Sequence, residues 1–375
     1  MTRLTALGIT LLVASIPATA FAGNDDEILI GTQGARLGGA VTATVTDSTA
    51  LWYNPGAIGR TRWAQFGATG TLIQARATSA NGNKDLELGV VPATLGHEIP
   101  LPGNWAFGYG VFTSQAQDRT LRQPDATGAI TTSTFGRHTY NFGAGLGAPL
   151  SSTLRLGVGI YAAYENSRVQ LAATSGTPAI GATAGDREAL SSFASLGIHW
   201  APSSTWNVGL SLNSPRMLVV SSVRSAGTRT DPGISASAPV RVRGGIAHDF
   251  GRLVLSIDGD VQPALKNDAA LVDRRLLPNA RVGADYELDE QTHLGLGLFT
   301  DLGPEKDRNQ RMDFVGVSGG IETSTRYQLD PNEPAASIEL SAFIGFRYAY
   351  GTGKIQAADA TSHELGINFG SGLRF

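Results

Sequence analysis

From Trp63 to the C-terminus the apolar side chains of this chain recur at every second position, and that period removes most folds from consideration. In Leu154 to Glu165, the residues Leu154, Leu156, Val158, Ile160, Ala162 and Tyr164 share one face, and Arg155, Gly157, Gly159, Tyr161, Ala163 and Glu165 share the other. Ile338 to Tyr350 repeats the scheme, with Ile338, Leu340, Ala342, Ile344, Phe346, Tyr348 and Tyr350 set against Glu339, Ser341, Phe343, Gly345, Arg347 and Ala349. Successive side chains of a strand point to opposite sides, so alternation of this length means strands with one apolar face, not helices. The other face is crowded with Gly and charge. A soluble sandwich would turn the apolar face inward, whereas a transmembrane barrel turns it to lipid and lines its lumen with the polar face.

Three observations select the barrel. Fourteen alternating segments fall near 63–77, 84–99, 104–116, 134–148, 153–171, 188–201, 205–223, 237–250, 251–263, 279–288, 291–301, 310–325, 335–350 and 361–375. An even number returns both chain ends to one side of a membrane. The connections alternate in length: Leu101 to Gly103, Pro149 to Ser152, Pro202 to Ser204, Asp249 to Gly251 and Asp289-Glu290 are tight, while 117–133, 172–187, 221–236 and 264–278 are longer and polar. Short periplasmic turns and long external loops give that pattern, which the stretch 326–334 breaks by being long where a tight turn is expected. Finally, Trp63, Trp105, Trp200 and Trp206 stand at strand ends beside the tight turns, level with Phe250, Tyr286 and Phe375, while Lys84, Lys266, Lys306 and Lys354 fall at the opposite end. A girdle of aromatic side chains at one membrane interface explains this level. The fold expected is all-β, a 14-stranded antiparallel transmembrane β-barrel.

Composition agrees. Only 16% of the residues are charged, and Gly supplies 47 of 375, nearly twice its usual share of about 7%; neither a disordered chain nor a coiled coil has this make-up. Beyond the N-terminus no apolar run reaches the ~18 residues of a membrane-spanning helix. A net charge of −3 gives no basic face for nucleic acid. The absence of Cys removes disulfides, thiolate metal sites, a Cys nucleophile and a lipid-attachment site.

Residues 1–22 read as a secretory signal peptide. Thr2-Arg3 gives the positive start, Leu4 to Ile16 the apolar stretch, and Ala20-Phe21-Ala22 the small-residue cleavage pattern. Export and the barrel pattern together place the expected protein in a bacterial outer membrane, in contact with its lipid and lipopolysaccharide, as a monomer.

Residues 23–62 lack the alternation. They read Ile28 to Ile30, a Gly-rich stretch from Gly31 to Ala40, and then Asp47 to Gly56, where Asp47 is expected to cap a short helix ended by Asn54-Pro55. About forty residues this apolar, ahead of the first strand, are expected to fold into the lumen as a plug.

Gly34-Ala35-Arg36-Leu37-Gly38-Gly39-Ala40, followed by Asp47-Ser48-Thr49-Ala50 and Asn54-Pro55, resembles the N-terminal hatch of the FadL/TodX family of outer-membrane channels. Thr139 to Glu165, Phe193 to Ser214 and Leu294 to Pro304 look like strand pairs of that family. The resemblance implies passive inward movement of hydrophobic molecules, long-chain fatty acids or aromatic and aliphatic hydrocarbons. It also implies a hatch that shifts and a sideways gap at a kinked third strand, for which Gly108 and Gly110 are the candidates. The chain departs from the family in reading Asn54-Pro55-Gly56 where the family has Asn-Pro-Ala. It is also short for the family, which implies reduced outer loops.

A site for such molecules is apolar with a few polar anchors. The alternation turns Phe112, Tyr161, Phe193, Phe299 and Phe343 inward, an unusual direction in a water-filled pore, and packing against the plug is the competing explanation for each. Arg155, Arg241, Arg243, Arg281 and Arg347 point inward with Asp258, Asp260, Asp285 and Glu287, as an ion-pair lattice would. Arg155 and Arg347, beside aromatics, are the candidates for a forked contact to a ligand carboxylate. No enzyme is expected: Gly316-Val317-Ser318-Gly319-Gly320 imitates a nucleophile elbow and Gly143 to Ala148 a dinucleotide fingerprint, but neither opens a helix. The six His lack metal-ligand spacing, so no metal or cofactor is implied. The alternative function is a barrel that docks or secretes a partner and has no ligand of its own.

Overall fold

A computed structural model describes residue 24 and residues 28–80, 83–124, 130–174, 182–225, 228–231, 233–270, 272–329, 337–355 and 358–375. The signal-peptide reading of 1–22 lies outside them. The strands are β1 (Gln65–Ala80), β2 (Asn83–Pro100), β3 (Ala106–Pro124), β4 (Ile130–Pro149), β5 (Leu154–Thr174), β6 (Ala182–Trp200), β7 (Trp206–Asn213), β8 (Arg216–Ser225), β9 (Thr228–Thr230), β10 (Ser235–Ala238), β11 (Arg241–Asp249), β12 (Leu253–Gln262), β13 (Leu265–Asn267), β14 (Val272–Arg274), β15 (Leu277–Asp289), β16 (Thr292–Asp301), β17 (Met312–Gln328), β18 (Ser337–Ile355) and β19 (Ala358–Arg374). Strands β13 and β14 form a separate hairpin, and the other seventeen make one antiparallel sheet.

That sheet closes on itself. β1 pairs with β19 from Gln65↔Arg374 to Ala80↔Ala360, and Ala64 and Phe375 exchange two backbone hydrogen bonds of 3.0 Å at the seam. β7 and β8 are halves of one crossing, since both pair with β6, and β10 and β11 are halves of the next. β9 turns back antiparallel against the end of β8 at the rim. The wall therefore has fourteen crossings, the number expected.

The two faces follow the alternation. Ile160 is 69% exposed and the adjacent Tyr161 5%; Ile344 is 47% exposed and the adjacent Phe343 3%. Lipid replaces water against the first set, so apolar side chains there cost nothing, whereas charge would cost about 2–4 kcal/mol at mid-depth. Trp105, Trp200, Trp206, Phe250, Tyr286 and Phe375 are exposed at the tight-turn end, and His248 stands between Trp206 and Phe250 with ring centres 4.3 Å from each. Trp63 is half-buried, with the Arg326 guanidinium 5.2 Å over its ring.

Three expectations need correction. Much of what reads as external loop is strand: β3 and β4 run on through 117–124 and 130–133, and β5 reaches Thr174. Polar residues hide this in the sequence, because beyond the membrane neither face must be apolar. The kink in the third strand is not at Gly108 or Gly110, which pair in regular register with Glu98 and Gly96 on one side and Gly145 and Gly143 on the other. The irregularity this strand does show is at Ser114, where the β3–β4 register shifts between Thr113 and Gln115, just past the last β2–β3 pair, Thr94↔Phe112. Thr49, not Asp47, precedes the short helix at 50–53, although the Asp47 carboxylate accepts the Thr49 N–H at 2.9 Å.

Candidate functional site

Between Ile28 and Ile58 almost every residue is buried. Two short helices, α1 (Thr32–Arg36) and α2 (Ala50–Tyr53), and a 3-10 turn at Pro55–Ala57 are tied together locally: the Tyr53 hydroxyl donates to the Ile30 carbonyl at 3.0 Å and accepts the Ile30 N–H at 3.1 Å. From this segment bonds radiate to inward-facing groups of the wall. Arg36 forks between Asp285 of β15 at 2.8 Å and Glu322 of β17 at 3.0 Å. The Thr42 N–H donates to Asp258 of β12 at 2.8 Å, and the Ser256 hydroxyl donates to the Ala40 carbonyl at 2.7 Å. His199 of β6 reaches the Ala43 carbonyl at 3.2 Å, and the Gly59 N–H donates to Glu98 of β2 at 3.2 Å. Arg60 donates to the carbonyls of Ala43 and Val45; burial, aided by the charge of Arg155, lowers its pKa to about 10, so it remains a cation at neutral pH.

Asn54 is a fully buried junction. Its Nδ2 donates at 2.9 Å to the Thr42 carbonyl and at 2.9 Å to the Ile198 carbonyl of β6, while its Oδ1 accepts the Gly56 N–H at 3.0 Å. Gly at the following positions is a matter of room. A Cβ on Gly56 would stand 2.8 Å from the backbone of Gly197, Ile198 and His199, and a Cβ on Gly197 would stand 2.7 Å from the Pro55 nitrogen. Both are closer than real Cβ contacts come, so Gly56 in place of the family's Ala fits this wall.

Of the seven residues proposed from sequence as ligand contacts, three meet. Phe112 of β3, Tyr161 of β5 and Phe193 of β6 gather around Trp52 of α2: Tyr161 and Phe193 stack at 4.4 Å, Trp52 lies 5.4 Å from Phe112 and 6.1 Å from Tyr161. The Tyr161 hydroxyl also donates to the Leu51 carbonyl, so this ring holds α2 in place. Phe299 and Phe343 belong to a separate buried cluster on another side of the lumen. There the Arg347 guanidinium lies 5.1 Å over the Phe299 ring and pairs with Glu364 at 3.0 Å, and Arg76 shares the same carboxylate at 2.8 Å. Arg155 is at the tight-turn end, donating to the Ile58 carbonyl at 2.8 Å. Neither Arg stands by the Trp52 cluster.

Above that cluster, towards the long-connection end, is a cavity of about 160 Å³. Trp52 and Phe193 line it together with Arg137, Arg187, Arg216, Arg241, Arg243 and Arg274, against Glu165, Asp273 and Glu305. Glu165 pairs with Arg137 at 3.3 Å and Arg187 at 3.9 Å; Arg216 lies 5.1 Å over the Phe193 ring and donates to Asn141 at 3.2 Å. The lining thus carries six guanidinium groups to three carboxylates beside two aromatic rings. Trp52 is not legible in the sequence because α2 lies outside the alternation, and Arg187 is not because the alternating segment reads from 188, six residues inside β6, which begins at Ala182.

These features define a class: a closed transmembrane β-barrel of fourteen crossings whose inward faces hold its own N-terminal segment. No protein-family model and no curated protein sequence matches the chain. Among solved structures it is similar to a Pseudomonas aeruginosa FadL homologue, with a TM-score of 0.68 at 14% identity over 94% of this chain and 99% of that one. It is similar also to the Pseudomonas putida toluene transporter TodX (TM-score 0.62, 15% identity, 93% and 99% covered) and to the Ralstonia pickettii toluene transporter TbuX (0.58, 14%, 94% and 99%). The chain has the fold of the FadL/TodX channels.

Proposed function

We propose that this protein is a bacterial outer-membrane channel for passive uptake of hydrophobic molecules, among which it favours those with an anionic end. One observation carries the reading: the lumen cavity sets an arginine-rich wall beside the rings of Trp52 and Phe193. Guanidinium groups bind carboxylates by paired, charge-assisted hydrogen bonds, and the rings offer the apolar contact that a hydrocarbon next to the carboxylate needs. The names of the structural neighbours, a FadL homologue and two toluene transporters, support hydrophobic cargo. In this reading residues 1–22 direct export, residues 23–62 are a plug that blocks water-filled passage, and residues 63–375 are the barrel. The protein acts as a monomer without catalysis or cofactor.

Fatty acids, alkanes and toluene titrated against purified protein in detergent test the proposal. A fatty acid should bind more tightly than an alkane of the same length, and Arg187→Ala should narrow that gap. Phe193→Ala should weaken both ligands by about tenfold, since a buried ring is worth ~1.5–3 kcal/mol; Phe343→Ala, in the separate cluster, should weaken neither. No binding of any apolar compound below millimolar would leave the docking-partner alternative in its place.

A further inference from the structure

The lumen cavity is charged unevenly, and the uneven part is walled by flat groups. Arg137, Arg187 and Arg216 surround one carboxylate, that of Glu165, which Arg137 meets at 3.3 Å and Arg187 at 3.9 Å. Elsewhere in the lining cation and anion are more nearly matched: Arg241 pairs with Asp260 at 2.9 Å, Asp273 pairs with Lys306 at 3.9 Å, and Arg274 faces Glu305 across a backbone bridge. Positive charge in excess raises the local concentration of small anions, and here the excess lies around Glu165. The same region presents planes. Tyr161 covers one face of Phe193, with ring centres 4.4 Å apart and planes 5° from parallel, and the Arg216 guanidinium lies over the Phe193 ring at 5.1 Å. Tyr161, Phe193 and Arg216 thus make a column of flat groups that ends at the cavity, since Phe193 and Arg216 both line it. Trp52 adds a second flat surface: it stacks on Phe112 at 5.4 Å and, half-buried, lines the cavity as well. Guanidinium planes and indole rings both stack on aromatic rings, a contact that a saturated chain does not make.

The cavity has room for one ring. Its volume of about 160 Å³ is close to the ~150 Å³ in which benzene binds inside another protein. Beyond Trp52 and Phe193 its apolar lining is small, consisting of Ala238, Pro239, Val272 and Pro304. The tail of a long-chain acid anchored near Glu165 would therefore lie along charged groups such as Asp273, Arg274 and Glu305. Carbon laid there gains little from leaving water. Volume, flat walls and charge point to the same shape of molecule: compact, planar and anionic.

We infer that the preferred cargo is an aromatic acid of a single ring, benzoate in its simplest form, whose ring stacks in the cavity on Arg216 and Trp52 while its carboxylate meets the surplus guanidinium groups around Glu165. The inference rests on the proposed channel function and narrows its cargo, and its test separates the two. The full chain in detergent is dialysed to equilibrium against benzoate, benzamide, 2-naphthoate and decanoate. Benzoate should bind about tenfold more tightly than benzamide, whose neutral amide makes only the weaker, uncharged hydrogen bonds. It should also bind about tenfold more tightly than 2-naphthoate or decanoate, which overfill the cavity. Arg216→Gln should bring benzoate and benzamide close together. Bound benzoate should change the tryptophan fluorescence of the parent, and the change should vanish in Trp52→Phe, because the other four of the five Trp stand at the tight-turn end. Binding of 2-naphthoate, decanoate or benzamide as tight as that of benzoate overturns the inference and leaves the channel reading standing. So does an unchanged gap in Arg216→Gln, or a fluorescence response that is absent from the parent or unaltered in Trp52→Phe. Failure of benzoate, decanoate, toluene and alkanes alike to bind the parent overturns both.

Discussion

Replacing Asn54 by Ala should release the N-terminal segment without unfolding the barrel. The side chain is fully buried and makes three hydrogen bonds, two given to carbonyls at 2.9 Å and one accepted from an N–H at 3.0 Å. Each such bond contributes about 1 kcal/mol net, and each partner left unsatisfied in a dry site costs somewhat more. The loss is therefore roughly 3 kcal/mol, and at 1.4 kcal/mol per tenfold it raises the population of the locally unfolded segment about a hundredfold. Two of the three partners, Thr42 and Gly56, belong to the segment itself, and only Ile198 belongs to the wall, so the barrel keeps its own ladder. Hydrogen exchange of the amides between Ala50 and Ala57 should quicken by a similar factor, and conductance in planar bilayers should show openings that the parent lacks. Gel mobility of the unheated protein should stay that of a folded barrel. If the amides of 50–57 exchange as slowly in Asn54→Ala as in the parent, Asn54 is not a tether and the argument fails.

Three further outcomes are expected. Gly197→Ala places a methyl group against the backbone at Pro55 and Gly56; it should raise conductance as Asn54→Ala does, with the barrel still resistant to unfolding on a gel. Arg36→Ala removes the guanidinium shared by Asp285 and Glu322 and leaves them only His293 at 3.5 Å and Thr32 at 3.4 Å; because removing one partner of a buried ion pair costs about 3–5 kcal/mol, protease should cut the N-terminal segment faster, while Arg36→Lys should restore part of the protection. Ile257→Arg puts charge on the lipid face, where Ile257 is 58% exposed; folding into vesicles should lose about 2–4 kcal/mol, measured by denaturant titration, and an unchanged midpoint would mean that this face does not meet lipid.

The barrel was legible because a bilayer imposes one rule on every spanning strand. Tyr161 beside Ile160 and Phe343 beside Ile344 differ in exposure as their parity in the sequence requires, with no knowledge of their neighbours. Strand count, closure and girdle follow from the same rule. Beyond the membrane the rule lapses, which is why 117–124 looks like loop and is strand. The N-terminal segment has no period, and what pointed inward was its apolar make-up ahead of the first strand together with its resemblance to a family hatch.

What the sequence by itself determined is thus the wall within the membrane: which of its stretches are strand, which of their faces is apolar, and which side chains point to the lumen. Which inward residues meet was decided by tertiary structure. Arg155 and Arg347 read alike in the alternation, yet one closes on the Ile58 carbonyl and the other on Glu364, while Arg187 and Arg216 join Trp52 and Phe193 around one cavity. The physical reason is that parity depends only on the local chain, whereas neighbours across a barrel depend on its register and closure and on how a separate, aperiodic segment packs against the inward face.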